Sequence, residues 1–271
     1  MPGPSRSVTH ADDRFQRWHS LLDNRKTRSR TRRFLVHGVR PIDQALGHDW
    51  PIPDVLVRAG GPLSAWARAT VDTARSAGAA VFDVAPDLLA ELGQHGQTTP
   101  ELVAVAELPA DALTRIRPVH GLVLVLDRPS SPGNIGSLIR SADAFAADGV
   151  VICGHAADPY DPTAVRASTG SLFAVPVVRV DAPAPVLEWA RAHGLRLVGT
   201  DETGHRVDQV DLTRPAALVI GNETRGMSTA WRAATDVTAA IPIGGSASSL
   251  NAANAGSIVL YEAARQRKTH H

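Results

Sequence analysis

Residues 121–126 read Gly121-Leu122-Val123-Leu124-Val125-Leu126, and a short polar turn later the chain continues Ser131-Pro132-Gly133-Asn134-Ile135-Gly136. The aliphatic run has no alternation, which is the pattern of a strand buried on both faces of a parallel sheet. Residues 135–145 then predict a helix, with Asn134 as its N-cap, and residues 149–153 predict the next strand. Farther on, apolar runs at 175–180, 195–199, 217–220 and 237–241 alternate with helix-like stretches near 185–193, 228–234 and 250–266. Strand and helix in alternation give a parallel α/β sheet. The loop at 131–136 has neither the Gly-x-Gly-x-x-Gly spacing of a dinucleotide fold nor the Lys-Ser/Thr ending of a phosphate loop, so the two commonest nucleotide-binding readings lose support.

Upstream, apolar runs at 34–36, 55–57, 79–82 and 102–105 are separated by helix-like stretches at 40–46, 65–76 and 86–92, which suggests a second, smaller α/β domain. The proline-bounded segment 109–118 reads as a linker. The expected division is therefore 1–118 and 119–271, in keeping with a length of 271 residues.

Lys and Arg total 28 against 27 Asp and Glu, a net charge of +1 that says little by itself. Its distribution says more. Arg25, Lys26, Arg28, Arg30, Arg32 and Arg33 cluster with no acid among them, the electrostatic footprint of a phosphate-binding segment, with a solvated basic face as the alternative. The polar start from Met1 to Asp13 lacks the apolar core of a signal peptide, and no stretch approaches the roughly 20 apolar residues of a membrane span. A cytoplasmic protein without membrane attachment is expected. The single cysteine, Cys153, lies in a strand-like run and reads as a buried, inert thiol. No zinc-type ligand spacing is present, and no metal is expected.

Three stretches end apolar runs, where a parallel sheet delivers loops to a ligand. The first runs from Asn134 to Arg140, the second is Gly221-Asn222-Glu223-Thr224-Arg225-Gly226, and the third is Ser249-Leu250-Asn251. Taken singly, each has a bland reading: a surface arginine on a helix, a glycine-bounded turn with a solvated carboxylate, and a serine that caps the C-terminal helix. Taken together, in this order and spacing, they resemble the signature motifs of the SpoU-like (TrmH-type) branch of the SPOUT methyltransferases. Residues 33–42 also resemble the opening of the substrate-binding domain that precedes many such catalytic domains.

The resemblance implies a SPOUT domain with a C-terminal trefoil knot, preceded by the small α/β RNA-binding domain, and a homodimer whose interface completes the pocket. It implies methyl transfer from S-adenosylmethionine to a ribose 2′-hydroxyl of structured RNA, with ribosomal RNA preferred to transfer RNA. The family's catalytic positions fall on Asn134, Arg140, Glu223, Ser249 and Asn251. Its cofactor-binding positions fall on Thr200, Ile220, Gly221, Asn222, Glu223, Gly226, Ile241, Ile243, Ser249 and Leu250. A base methyltransferase of the same superfamily, and an RNA-binding protein that has lost catalysis, are the alternatives.

Overall fold

The computed structural model describes residues 6–93 and 99–269, so the first residues of the polar start and the last two of the chain lie outside the described residues. The chain forms two compact units: residues 1–109 with 160–174, and residues 110–159 with 175–271.

The first unit contains β1 (Arg6–Val8), α1 (Asp13–Asp23), α2 (Arg25–Thr31), β2 (Arg33–Val36), α3 (Val39–Gly47), β3 (Asp54–Arg58), α4 (Ala65–Ser76), β4 (Ala80–Val84), α5 (Pro86–Leu92) and β5 (Leu102–Glu107). Its sheet has the order β1-β4-β3-β5-β2, in which β5 runs antiparallel to both of its neighbours. Each apolar run expected in this half is a strand. The sequence reading did not include β1 or α1. Asp12 starts α1 by accepting hydrogen bonds from the backbone of Arg14 and Phe15 at 3.0 and 2.9 Å, and Phe15, Trp18 and Leu21 then bury one face.

Arg28 corrects the expectation that the whole basic run faces RNA. Its side chain is 2% exposed, donates to the carbonyls of Leu21 and Leu22 at 2.8 Å each, and pairs with Asp161 at 3.3 Å. Those carbonyls belong to the last turn of α1, where no helical partner exists, so the guanidinium serves as a C-terminal cap. Arg33 pairs with Asp54 at 3.1 Å, and Arg32 donates to the Leu108 carbonyl at 2.7 Å. Arg25, Lys26, Arg30 and Arg32 are exposed.

The second unit begins with β6 (Leu122–Asp127), α6 (Pro132–Ala144) and β7 (Gly149–Cys153). Next come α7 (Pro162–Ala167) and α8 (Ser171–Ala174), which belong to the first unit. The chain then returns as β8 (Val177–Val180), α9 (Pro183–Ala192), β9 (Arg196–Arg206), β10 (Ala216–Ile220), α10 (Thr229–Ala234), β11 (Val237–Ala240) and α11 (Ala252–Thr269). The sheet order is β11-β9-β10-β6-β7-β8, and every pairing is parallel. The aliphatic runs of β6, β7 and β10 are buried along their whole length, as strands covered on both faces must be. From β6 the chain moves to β7 on one side, while β9 and β11 lie on the other, so the crevice between the carboxyl ends of β6 and β10 is a topological switch point.

The expected linker is part of the second unit. Ile116 is 2% exposed and fills the space over Gly149, where a Cβ would lie 2.7 Å from its Cγ1, and Arg115 donates to the Val177 carbonyl at 2.8 Å. A polar, proline-bounded sequence conceals one buried isoleucine, and the compact unit starts at Ala110.

Candidate active site

The loop after β6 and the loop after β10 meet at the carboxyl end of the sheet. Ser131, and not Asn134, caps α6: its hydroxyl accepts from the Asn134 backbone N–H at 3.3 Å, and Pro132 occupies the first turn, where a missing N–H costs nothing. Asn134 thus lies inside the helix with its side-chain amide free for other partners. It donates to Glu223 Oε1 at 3.0 Å and accepts from the side-chain amide of Asn251 at 3.1 Å. One chain of hydrogen bonds, Asn251 to Asn134 to Glu223, therefore joins the three stretches read from the sequence.

Asn251 also corrects the expected cap of the C-terminal helix. Its Oδ1 accepts from Ala253 N at 2.8 Å and Asn254 N at 3.4 Å, so Asn251 takes the capping role that the sequence reading gave Ser249. Ser249 is exposed two residues earlier. Capping through Oδ1 orients the Asn251 amide so that its Nδ2 donates to Asn134.

Glu223 is held from several sides. Its carboxylate accepts from the Ser130 backbone at 3.0 Å, the Ser130 hydroxyl at 2.8 Å and the Ser131 backbone at 3.2 Å, besides Asn134. Partial burial pushes its pKa up, but the hydrogen bonds from the Ser130 backbone and the Asn134 amide outweigh that and hold it at about 2. An ionised carboxylate with its lone pairs so occupied is a fastener, poorly suited to take a proton.

The turn that carries Glu223 is closed by backbone bonds between Asn222 and Gly226, at 3.0 Å from Asn222 N and 2.9 Å from Gly226 N. The Asn222 side chain accepts from Thr224 N and Arg225 N at 3.1 and 3.0 Å. Gly221 has no room for a Cβ against the backbone of Gly226 and Met227, and Gly226 takes a φ of +62°, so both glycines are required. Next to the turn, Arg128 grips Asp127 with two bonds, Nε to Oδ1 at 3.0 Å and Nη2 to Oδ2 at 3.1 Å, and Nη2 reaches the Gly226 carbonyl at 3.1 Å.

Arg140 is exposed on α6, six positions after Asn134, with no hydrogen bond or ion pair among the described residues. Thr200 donates its hydroxyl to the Val219 carbonyl at 3.0 Å, so that β9 is pinned to β10 beside the turn. Ile220 is 4% exposed and offers the site only backbone groups. Ile241 is half-buried, whereas Ile243 and Leu250 are exposed on the loop that leads to Asn251. Cys153 is buried, and burial pushes its thiol up to about 12, which keeps it inert. No group of three or more His, Cys, Asp or Glu among the described residues is placed to hold a metal ion. The sequence reading passed over Asp127, Arg128, Ser130 and Ser131. The position of the two serines directly before a Pro at a helix start was a capping signal that pointed to Ser131.

Residues 121–261 match the family described as the SpoU rRNA Methylase family, and residues 12–104 match the SpoU L30e-like domain. A protein of Streptomyces viridochromogenes named 23S rRNA (uridine(2479)-2′-O)-methyltransferase is 53% identical over 97% of this chain and 93% of its own. The 23S rRNA (guanosine(2553)-2′-O)-methyltransferase RlmP of Bacillus subtilis is 30% identical over 89% of this chain and 92% of its own. The crystal structure of the SpoU methyltransferase AviRb from Streptomyces viridochromogenes in complex with AdoMet superposes with a TM-score of 0.90 at 51% identity, covering 95% of this chain and 99% of that one.

Proposed function

Because this chain belongs to the SpoU rRNA methylase family, we infer that it is an S-adenosylmethionine-dependent methyltransferase that methylates a ribose 2′-hydroxyl of ribosomal RNA. The observation that carries the inference is the hydrogen-bond chain from Asn251 through Asn134 to Glu223, which draws all three motif stretches to the switch point of a parallel sheet. Two relatives of comparable length are named as 2′-O-methyltransferases of 23S rRNA, so that RNA is the substrate we assign.

The residues present fit the cofactor. Ile243 and Leu250 are exposed apolar side chains, 40% and 37%, on a loop whose end is pinned to the site by Asn251, and an adenosine face covers such surface at a gain. The tight turn from Gly221 to Gly226, with the backbone of Ile220, Ile241 and Leu250, supplies amides and carbonyls for the adenine and ribose edges, beside Thr200 and Asn222. S-adenosylmethionine supplies a methyl group made electrophilic by its sulfonium.

The protein's part is placement and charge. The Arg140 guanidinium binds an RNA phosphate together with the 2′-oxygen, whose developing negative charge it stabilises. Asn134 and Asn251 set the wall beside that oxygen, with Ser249 at the rim. Glu223 holds the turn and the α6 loop together.

We assign RNA holding to the first unit, with Arg25, Lys26, Arg30 and Arg32 meeting phosphates, and transfer to the second, which we take to be knotted at its C-terminal end. A homodimer covers Ile258 and Tyr261, which are 38% and 55% exposed on α11. No helix among the described residues is long and apolar enough to cross a membrane, and we place the protein with its ribosomal substrate in the cytoplasm. Mass spectrometry of nucleosides from ribosomal RNA treated with the protein and S-adenosylmethionine tests the reading: a 2′-O-methylated nucleoside supports it, and a base-methylated one overturns it.

A further inference from the structure

We propose that Arg128, locked to Asp127, is a positioning residue that fixes the glycine side of the turn at 221–226 for S-adenosylmethionine, separately from Glu223, which fixes its acidic side. The proposal rests on the methyltransferase reading above.

Successive side chains of an extended strand point to opposite faces, so neighbours in sequence rarely form a bidentate pair. Here a φ of +54° at Arg128 turns the chain back and lets its guanidinium meet the carboxylate of Asp127. A left-handed arginine is strained, and such strain persists only where the surroundings fix it. Several contacts do so. Asp127, 1% exposed, also accepts from Ser228 N at 2.6 Å, and the Arg128 carbonyl accepts from the Asn222 side chain at 2.7 Å. With the bond from Arg128 to the Gly226 carbonyl, one residue therefore grips both ends of the turn. Across the loop Gly154 leaves the stem its space, since a Cβ there would lie 2.9 Å from Arg128 Cγ.

Displacement of Gly226 is passed directly to Gly221, which packs against its backbone, and these are the backbone groups assigned to the cofactor. Glu223 is tied to Ser130, Ser131 and Asn134, and it meets the Arg128 side of the turn through a longer bond of 3.4 Å from the Asn222 side chain. Two fasteners on one turn give two separable effects. Lysine cannot replace the arginine, because a single ammonium does not span a carboxylate and a carbonyl in one plane.

The test uses the full chain with Arg128→Gly, which suits the left-handed φ, and Arg128→Lys, which keeps the charge. Calorimetry with S-adenosylmethionine is paired with turnover at saturating cofactor and with thermal unfolding. The expected result is a rise in cofactor Kd of about tenfold for Arg128→Gly and of about threefold or more for Arg128→Lys, each larger than the loss of turnover, as when one aligning hydrogen bond is lost. A folded variant of either kind with Kd within about twofold of wild type, whether or not its thermal midpoint falls, overturns the proposal. Wild-type protein that binds no S-adenosylmethionine overturns the methyltransferase reading and the proposal with it.

Discussion

Glu223 concentrates the account at the residue scale, because its charge is what the surrounding donors are arranged to meet. Its pKa of about 2 lies below the ordinary carboxylate value, so the ionised form is bound to the folded state. That stabilisation is complete above the ordinary carboxylate range and fades as pH falls toward 2. Glu223→Gln turns an acceptor into a donor facing Ser130 and Ser131, at an expected cost of about 1–3 kcal/mol near neutral pH. Urea unfolding of wild type and variant should show a gap that narrows on acidification, and a gap independent of pH would remove the charge from the explanation. Arg140 is the complementary case, exposed and without a partner among the described residues. Arg140→Ala should lower methyl transfer by about 100-fold while calorimetric binding of S-adenosylmethionine stays near wild type. Weakened cofactor binding in that variant would move Arg140 out of the RNA half of the site. Legibility at this scale was uneven. Asn134, Glu223 and Asn251 stood out through motif context, whereas Ser130 and Arg128 act through a backbone amide and a left-handed turn, which residue type does not record.

Elements were easier to read where burial dictates composition. The runs at β6, β7 and β10 are aliphatic because both of their faces are covered, and α4 and α5 have the expected bounds. Edges were harder. Residues 175 and 176 are apolar yet precede β8, and β9 runs on to Arg206 through polar residues because β11 pairs with it across a register shift. The basic helix α2 shows the limit most clearly, since sequence places its arginines side by side and cannot tell the one that turns inward. Arg28→Ala leaves two carbonyls and Asp161 without their cation, and should destabilise the protein by about 3 kcal/mol. Replacing Arg25, Lys26 and Arg30 by neutral residues should leave the melting temperature nearly unchanged, weaken RNA binding and flatten its dependence on salt, since fewer counterions are released. An unaltered salt slope would make this helix a solvated surface and nothing more.

For the whole molecule, the sequence pattern indicated two α/β parts, while the exchange of residues 160–174 into the first unit and of 110–118 into the second depends on packing that no local pattern encodes. Oligomeric state belongs to the same scale. Ile258 and Tyr261 lie one turn apart on α11, with Phe145 edge-on to Tyr261 at 5.9 Å, an exposed apolar face that a second copy would cover. Light scattering should give the mass of a dimer for the wild type and a shift toward monomer for Tyr261→Glu; a monomeric wild type would contradict the proposed interface. The central claim, transfer to a ribose oxygen, is tested most directly on paired RNA substrates that differ only by a 2′-deoxy sugar at the target nucleotide, with labelled S-adenosylmethionine as methyl donor. Methylation of the ribose substrate, with no label on the deoxy substrate although it still binds, is the expected result, and label on the deoxy substrate would place the methyl group on a base and contradict the account.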